Sequence, residues 1–250
     1  MKKLLITSAA VLALSASSAL AADLSAPYYK SPIPPPETFS WTGFYLGANG
    51  GAGNGTSSSA ANFSLLGTSF TLPIASQSTS GWLGGFQAGY NWQTGPIVLG
   101  IEGDYDFANI QGNTACFIVF NCNVKQNWVA DFTGRVGVAP IEKLLMYVKG
   151  GIAWAGDKYS FGNSITAGGA TFALNANAST TRTGGLLGMG LEYAFLPHWS
   201  AKIEYDYINF GTATVAQTLT TTPAIPGLPT IQTQHTESES LMKAGVNYHF

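Results

Sequence analysis

Acidic residues recur at every second position in two short stretches, Glu102-Gly-Asp104-Tyr-Asp106 and Glu204-Tyr-Asp206. Spacing of two on an extended chain puts such side chains on one face. That cluster has three chemical readings: a Ca²⁺ site, an acid–base pair, or one half of an ion network facing Lys149, Arg182, Lys202 and Lys243. The network is favoured, because buried charges need partners. Three histidines complete the set of proton-transfer candidates. His198 and His249 fall at one end of the predicted elements and His235 in a long connection, so no His-based triad is evident. His235 is the one candidate axial ligand for a haem, although a single connection histidine is usually just solvated. Cys116 and Cys122 have no flanking His or acid, a poor zinc set. No catalytic, cofactor or metal residue is therefore assigned, and no cofactor is expected.

The elements that would position these groups are strands. Charged residues make up 10% of the 250-residue chain and the mean hydropathy is barely positive, too low for a helical membrane protein. The apolar residues must be dispersed. Residues 1–21 read as a secretory leader: Lys2 and Lys3, an apolar stretch from Leu4 to Leu20, and the cleavage signal Ala19-Leu20-Ala21. A leader sends the chain to an oxidising compartment, where Cys116 and Cys122 are expected to close a local disulfide. Without Lys2 and Lys3 the eleven basic residues become nine, against thirteen acidic, with no basic run for a nucleic acid. Residues 22–40 carry five prolines and read as an extended periplasmic tether.

From residue 41 to 250 period-two alternation dominates. In Pro96 to Phe107, Ile97, Leu99, Ile101, Tyr105 and Phe107 share one face, and Trp199 to Tyr207 repeats the design. Further strands are expected near 43–52, 81–92, 127–138, 144–155, 182–195 and 239–250, making eight. Twelve charges inside these spans take the parity opposite the bulky apolar residues: Glu102, Asp104, Asp106, Asp131, Arg135, Lys149, Arg182, Glu192, Lys202, Glu204, Asp206 and Lys243. Short connections (93–95, 139–143, 196–198) alternate with long ones (53–80, 108–126, 156–181, 211–238). Short periplasmic turns and long extracellular loops are the habit of outer-membrane barrels.

The fold class predicted is all-β: a closed antiparallel eight-stranded transmembrane barrel. A soluble ligand-carrying barrel would turn the apolar face inward, but eight strands enclose only enough room for side chains or one small ligand. Bulky aromatics inside would overfill it. Trp82, Trp92, Trp128, Trp154 and Trp199 lie at or near strand ends, where aromatic girdles mark the membrane interfaces.

The opening Phe39-Ser-Trp41-Thr-Gly43-Phe-Tyr45-Leu-Gly47 behind a Pro-rich tether, and the ending Tyr248-His249-Phe250, resemble the small outer-membrane surface proteins of alphaproteobacteria filed as porin-family or haemin-binding antigens. The architecture is similar to OmpA-type barrels. The resemblance implies that Phe250, Tyr248 and Val246 form the recognition signal for the barrel-insertion machinery. The partners expected are that machinery and outer-membrane lipid, while the loops name no receptor or ligand. A structural and surface-display role is expected, with a narrow porin-like channel or haem and ligand capture as alternatives.

Overall fold

The computed structural model describes residues 39–65, 68–116, 120–224 and 230–250. The leader 1–21 and all of the tether except Phe39 and Ser40 lie outside the described residues. Eight strands follow one another: β1 (Gly43–Leu65), β2 (Thr68–Thr94), β3 (Ile97–Cys116), β4 (Phe120–Ile141), β5 (Leu144–Ala167), β6 (Ala170–Leu196), β7 (Trp199–Thr222) and β8 (Thr230–His249). Each pairs antiparallel with its sequence neighbours, and β1 pairs with β8 to close the barrel. Closure leaves no unpaired edge, the requirement for crossing a bilayer with strands.

Alternation decides which side chain goes where. β7 alternates strictly between exposed and buried over its first twelve residues, and β3 over its first six. Trp82, Phe86, Trp92, Ile101, Phe107, Phe132, Ile203 and Met242 stand outward, on a belt that is apolar without interruption by charge. Trp128 and Trp154, also on this outer face, are half-buried. A barrel with such an exterior is stable only where hydrocarbon replaces water.

The connections differ from expectation at one end. The turns at 95–96, 142–143 and 197–198 are short, as the sequence predicts. The four stretches read as long loops are instead mostly ladder: β1 pairs with β2 out to Leu65↔Thr68, and β5 with β6 out to Ala167↔Ala170. Four hairpins thus project beyond the apolar belt. Threonine and serine suit a pleated surface and pair across it, as Ser58 with Ser76 (3.2 Å) and Thr212 with Thr236 (2.7 Å) illustrate. The β5–β6 tip is closed by Gly168 and Gly169, both at positive φ, the backbone that a two-residue hairpin turn demands. The ladder has one long internal break, between Asn177 and Gly185 on β6, where β7 carries a bulge at Phe210.

Candidate functional site

The interior is stacked in layers along the barrel axis. At the short-turn end, Trp41 is fully buried among Val98, Ala139, Leu145, Tyr147 and Ala194, with Phe39 against it. Its indole donates to the Glu142 carbonyl (3.0 Å) and its ring meets His249 edge-on. This aromatic cork comes from the stretch just before β1.

Above the cork lies the ion network, to which β3, β4, β5, β6, β7 and β8 each contribute from their inward parity. Lys202 reaches Glu102 (3.1 Å) and Glu204 (3.4 Å). Lys149 pairs with Glu204 and with Asp206 (3.2 Å). Lys243 stands among Asp104 (3.3 Å), Asp106 (3.6 Å), Asp131 (3.9 Å) and Asp206 (3.2 Å). Arg135 lies 3.5 Å from both Glu102 and Glu192. Seven carboxylates share four cations, so every cation serves at least two acids.

The network also carries an internal echo. Tyr45 donates to Glu102 (2.8 Å) and Tyr147 to Glu204 (2.6 Å), and the guanidinium of Arg135 lies over both rings, 4.6 and 5.0 Å from their centres. The likeness of Ile101-Glu-Gly-Asp-Tyr to Ile203-Glu-Tyr-Asp-Tyr is the sequence signal for this pairing. Gly89 and Gly190 make room for the two rings, since a Cβ at either would collide with the tyrosine.

A third layer is apolar and was not foreseen. Leu83, Ile110, Val129, Leu186, Ile208 and Leu241 point inward from six strands and meet across the lumen, with Ala108, Ala153, Ala155 and Phe210. Beside it Trp82, Trp128 and Tyr207 point outward and are bulkier, which hides the layer from a parity reading of single strands.

Beyond this floor, level with the projecting hairpins, lies a second polar chamber. Eleven of the twelve predicted charges belong to the lower network, but Arg182 belongs here. It pairs with Glu237 (2.9 Å), accepts no share of the lower acids, and donates to the carbonyls of Gly211 (2.9 Å) and His235 (3.2 Å) beside the β6–β7 break. Glu237 further accepts from Ser57 (2.7 Å) and Tyr159 (3.0 Å). Asp157, Glu237 and Glu239 had no predicted role because their stretches read as loop or loop edge. Burial first, and the charge of Glu237 second, push the Asp157 carboxyl up to about 8. The same burial raises the Tyr159 hydroxyl.

His235 is likewise on a strand and not in a loop. Its ring stacks on Tyr159, with centres 4.1 Å apart, and both ring nitrogens are engaged, one with Ser59 (2.8 Å) and one with Thr233 (2.9 Å). Burial, then Arg182, lower its pKa to about 4. A neutral imidazole with both nitrogens occupied is not a free axial ligand. His198 lies in the β6–β7 turn and His249 at the end of β8.

One arrangement resembles a catalytic triad: Ser200, His249 and Glu192. Hydroxyl and carboxylate both meet the same ring nitrogen, at 2.9 and 3.4 Å, and the hydroxyl donates to Glu192. A working triad needs the acid on the opposite nitrogen and a hydroxyl open to substrate. Ser200 is fully buried. Among the described residues no three His, Cys, Asp or Glu side chains converge to hold a metal ion. Cys116 and Cys122 are joined by a disulfide, Cα atoms 5.8 Å apart, across the β3–β4 tip. At the chain end, Val246 and Phe250 face outward, and Tyr248, half-buried, packs edge-on against Phe250 (5.1 Å).

Comparison with known proteins agrees with this architecture. The chain is 33% identical over 209 residues to the 31 kDa outer-membrane immunogenic protein of Brucella melitensis, covering 81% of this chain and 85% of the relative. It is 28% identical over 213 residues to the 25 kDa outer-membrane immunogenic protein of Brucella abortus, covering 84% and 85%. The crystal structure of the outer membrane protein OprG from Pseudomonas aeruginosa superposes with a TM-score of 0.51 at 12% identity, over 85% of this chain and 99% of that one, a likeness of fold alone. Residues 7–250 match the outer membrane protein beta-barrel domain. The chain therefore belongs to the outer-membrane β-barrel family and resides in the bacterial outer membrane.

Proposed function

We propose that this outer-membrane protein is a sealed structural barrel whose task is to hold four laddered hairpins at the cell surface. One observation carries the reading: the lumen is filled along its axis by the aromatic cork, the ion network and the apolar layer. Eight-stranded barrels are narrow enough for side chains alone to fill them. Laddered hairpins continuous with the wall favour display. The relatives' description as immunogenic agrees with outward exposure.

Catalysis has no part in this proposal, because the Ser200–His249–Glu192 group is sealed from substrate and wrongly wired. The exposed apolar belt supports outer-membrane lipid as a partner, and the outward Val246 and Phe250, with Tyr248, support engagement of the last strand by the insertion machinery. An epitope inserted between Gly168 and Gly169 tests display: antibody should label intact cells without permeabilisation. Labelling only after the outer membrane is opened would reject it.

A further inference from the structure

We propose that the outer chamber is a binding site for one hard divalent cation of the calcium class, held by Asp157, Glu239 and Gln126. The proposal is independent of whether the barrel conducts or displays.

The starting observation is a cavity of about 20 Å³ lined by these three residues together with Glu237, Phe210 and Ile110. Space on the order of 10–15 Å³ suffices for one water-sized occupant. Three buried oxygens around this chamber have no hydrogen-bond partner: Oδ1 of Asp157, Oε1 of Glu239 and Oε1 of Gln126. All three are acceptors. Gln126 is 6% exposed, and its amide group donates to the other oxygen of Glu239 at 3.1 Å. That bond fixes the amide orientation, because the flipped form would set its carbonyl against a carboxylate. Its free oxygen is therefore committed to receiving something.

The three oxygens line one small cavity, and a single occupant there would have to meet all of them. A cation can. Charge points the same way: the chamber holds three carboxylates and one guanidinium, and Arg182 is spent on Glu237. Glu237 is also taken by Ser57 and Tyr159, so it is not a free ligand. Asp157 and Glu239 are left with no cationic partner within ion-pair distance among the described residues. Two carboxyl groups with no cation between them suit a divalent ion.

The donor chemistry narrows the class. Carboxylate and amide oxygens suit hard cations, and calcium accepts six to eight oxygens in flexible geometry, water among them. Two carboxylates and an amide carbonyl form a partial set that water would complete. The apolar floor of Ile110, Phe210 and Leu241 closes the chamber from below, so the ion would enter from the outer end. Phe210 also borders the break between β6 and β7, where wall strands are not laddered.

The test uses the full chain, refolded in zwitterionic detergent free of lipopolysaccharide, stripped with chelator and titrated with calcium chloride at pH 8. Calorimetry or equilibrium dialysis with radioactive calcium should give saturable uptake of one ion per chain, together with a rise in unfolding temperature. Glu239→Gln and Asp157→Asn should each weaken binding about tenfold or more, while the exposed Lys125→Met leaves it unchanged. A heat-dependent gel shift verifies that each variant is folded. Should either carboxylate variant fail to fold, Gln126→Leu removes a ligand without touching charge and should weaken binding likewise. Absence of saturable uptake at millimolar calcium overturns the proposal, and so does uptake that all three substitutions leave unaltered.

Discussion

Replacing Lys243 by methionine keeps the side-chain bulk and removes the charge on which three aspartates depend. Its ammonium lies within 4 Å of Asp104, Asp106 and Asp131, and among the described residues no other cation does so. Lys202 is a matched contrast. Its partners Glu102 and Glu204 keep Lys149, and Glu102 also keeps Arg135. Removing one partner of a buried pair costs about 3–5 kcal/mol, because the survivor is left uncompensated. Lys243→Met should fall at the top of that range, about 5 kcal/mol, and Lys202→Met at the bottom, about 3 kcal/mol. Lys125, exposed on the outer wall, should change stability by less than about 0.5 kcal/mol when made methionine. Urea unfolding in lipid vesicles, followed by tryptophan fluorescence, measures all three. Adding Asp131→Asn to Lys243→Met removes one stranded charge and should recover part of the loss, a coupling the double-mutant cycle isolates. The reasoning is refuted if Lys243→Met unfolds within about 1 kcal/mol of wild type, or if Lys202→Met costs more.

His235 makes stability depend on acid. Its folded pKa lies near 4, below the usual 6.5, so the unfolded chain takes up a proton first as pH falls. Stability present above pH 6.5 should drain away between 6.5 and 4, by about 3 kcal/mol; unfolding midpoints for His235→Asn should fall less steeply over that window. Cys116→Ser with Cys122→Ser should cost about 2 kcal/mol at most, since the loop is short and the β3–β4 ladder already closes it; hydrogen exchange should quicken at the hairpin tip and stay slow in the belt. Deleting Phe250 should lower the amount of assembled barrel in outer-membrane fractions, and normal levels would show that the terminal aromatic has no part in assembly.

Strand number, pairing order and the inward placement of charge were legible because every belt strand has one greasy and one polar face. A residue's parity then fixes its side, as Ile203 and Lys202 show. Where both faces meet water the rule loses its signal. The mainly Ser, Thr, Ala and Gly residues of 53–59 and 211–218 offer little bulky alternation, yet they pair residue for residue with β2 and β8. This hid the hairpins, and with them the chamber of Asp157, Glu237 and His235. Parity puts Arg182 inside the wall, yet it pairs with Glu237 in the outer chamber and not with the lower network, because parity gives the side of the wall and not the height along it. Six strands carry an inward Leu, Ile or Val above the ion network. Single apolar residues on a polar face look like noise in one strand and become a layer only when the barrel sets them side by side.

The central claim is that this lumen is closed. Single-channel recording of the purified protein in planar bilayers addresses it most directly. Filled by the cork of Trp41, the network around Lys243 and the layer around Leu241, the barrel should show no steady conductance in wild type, and Lys243→Met should admit current only together with a loss of thermal stability. A large steady conductance in wild type would contradict the account, above all if Lys243→Met or Arg182→Ala altered its ion selectivity while leaving thermal stability untouched.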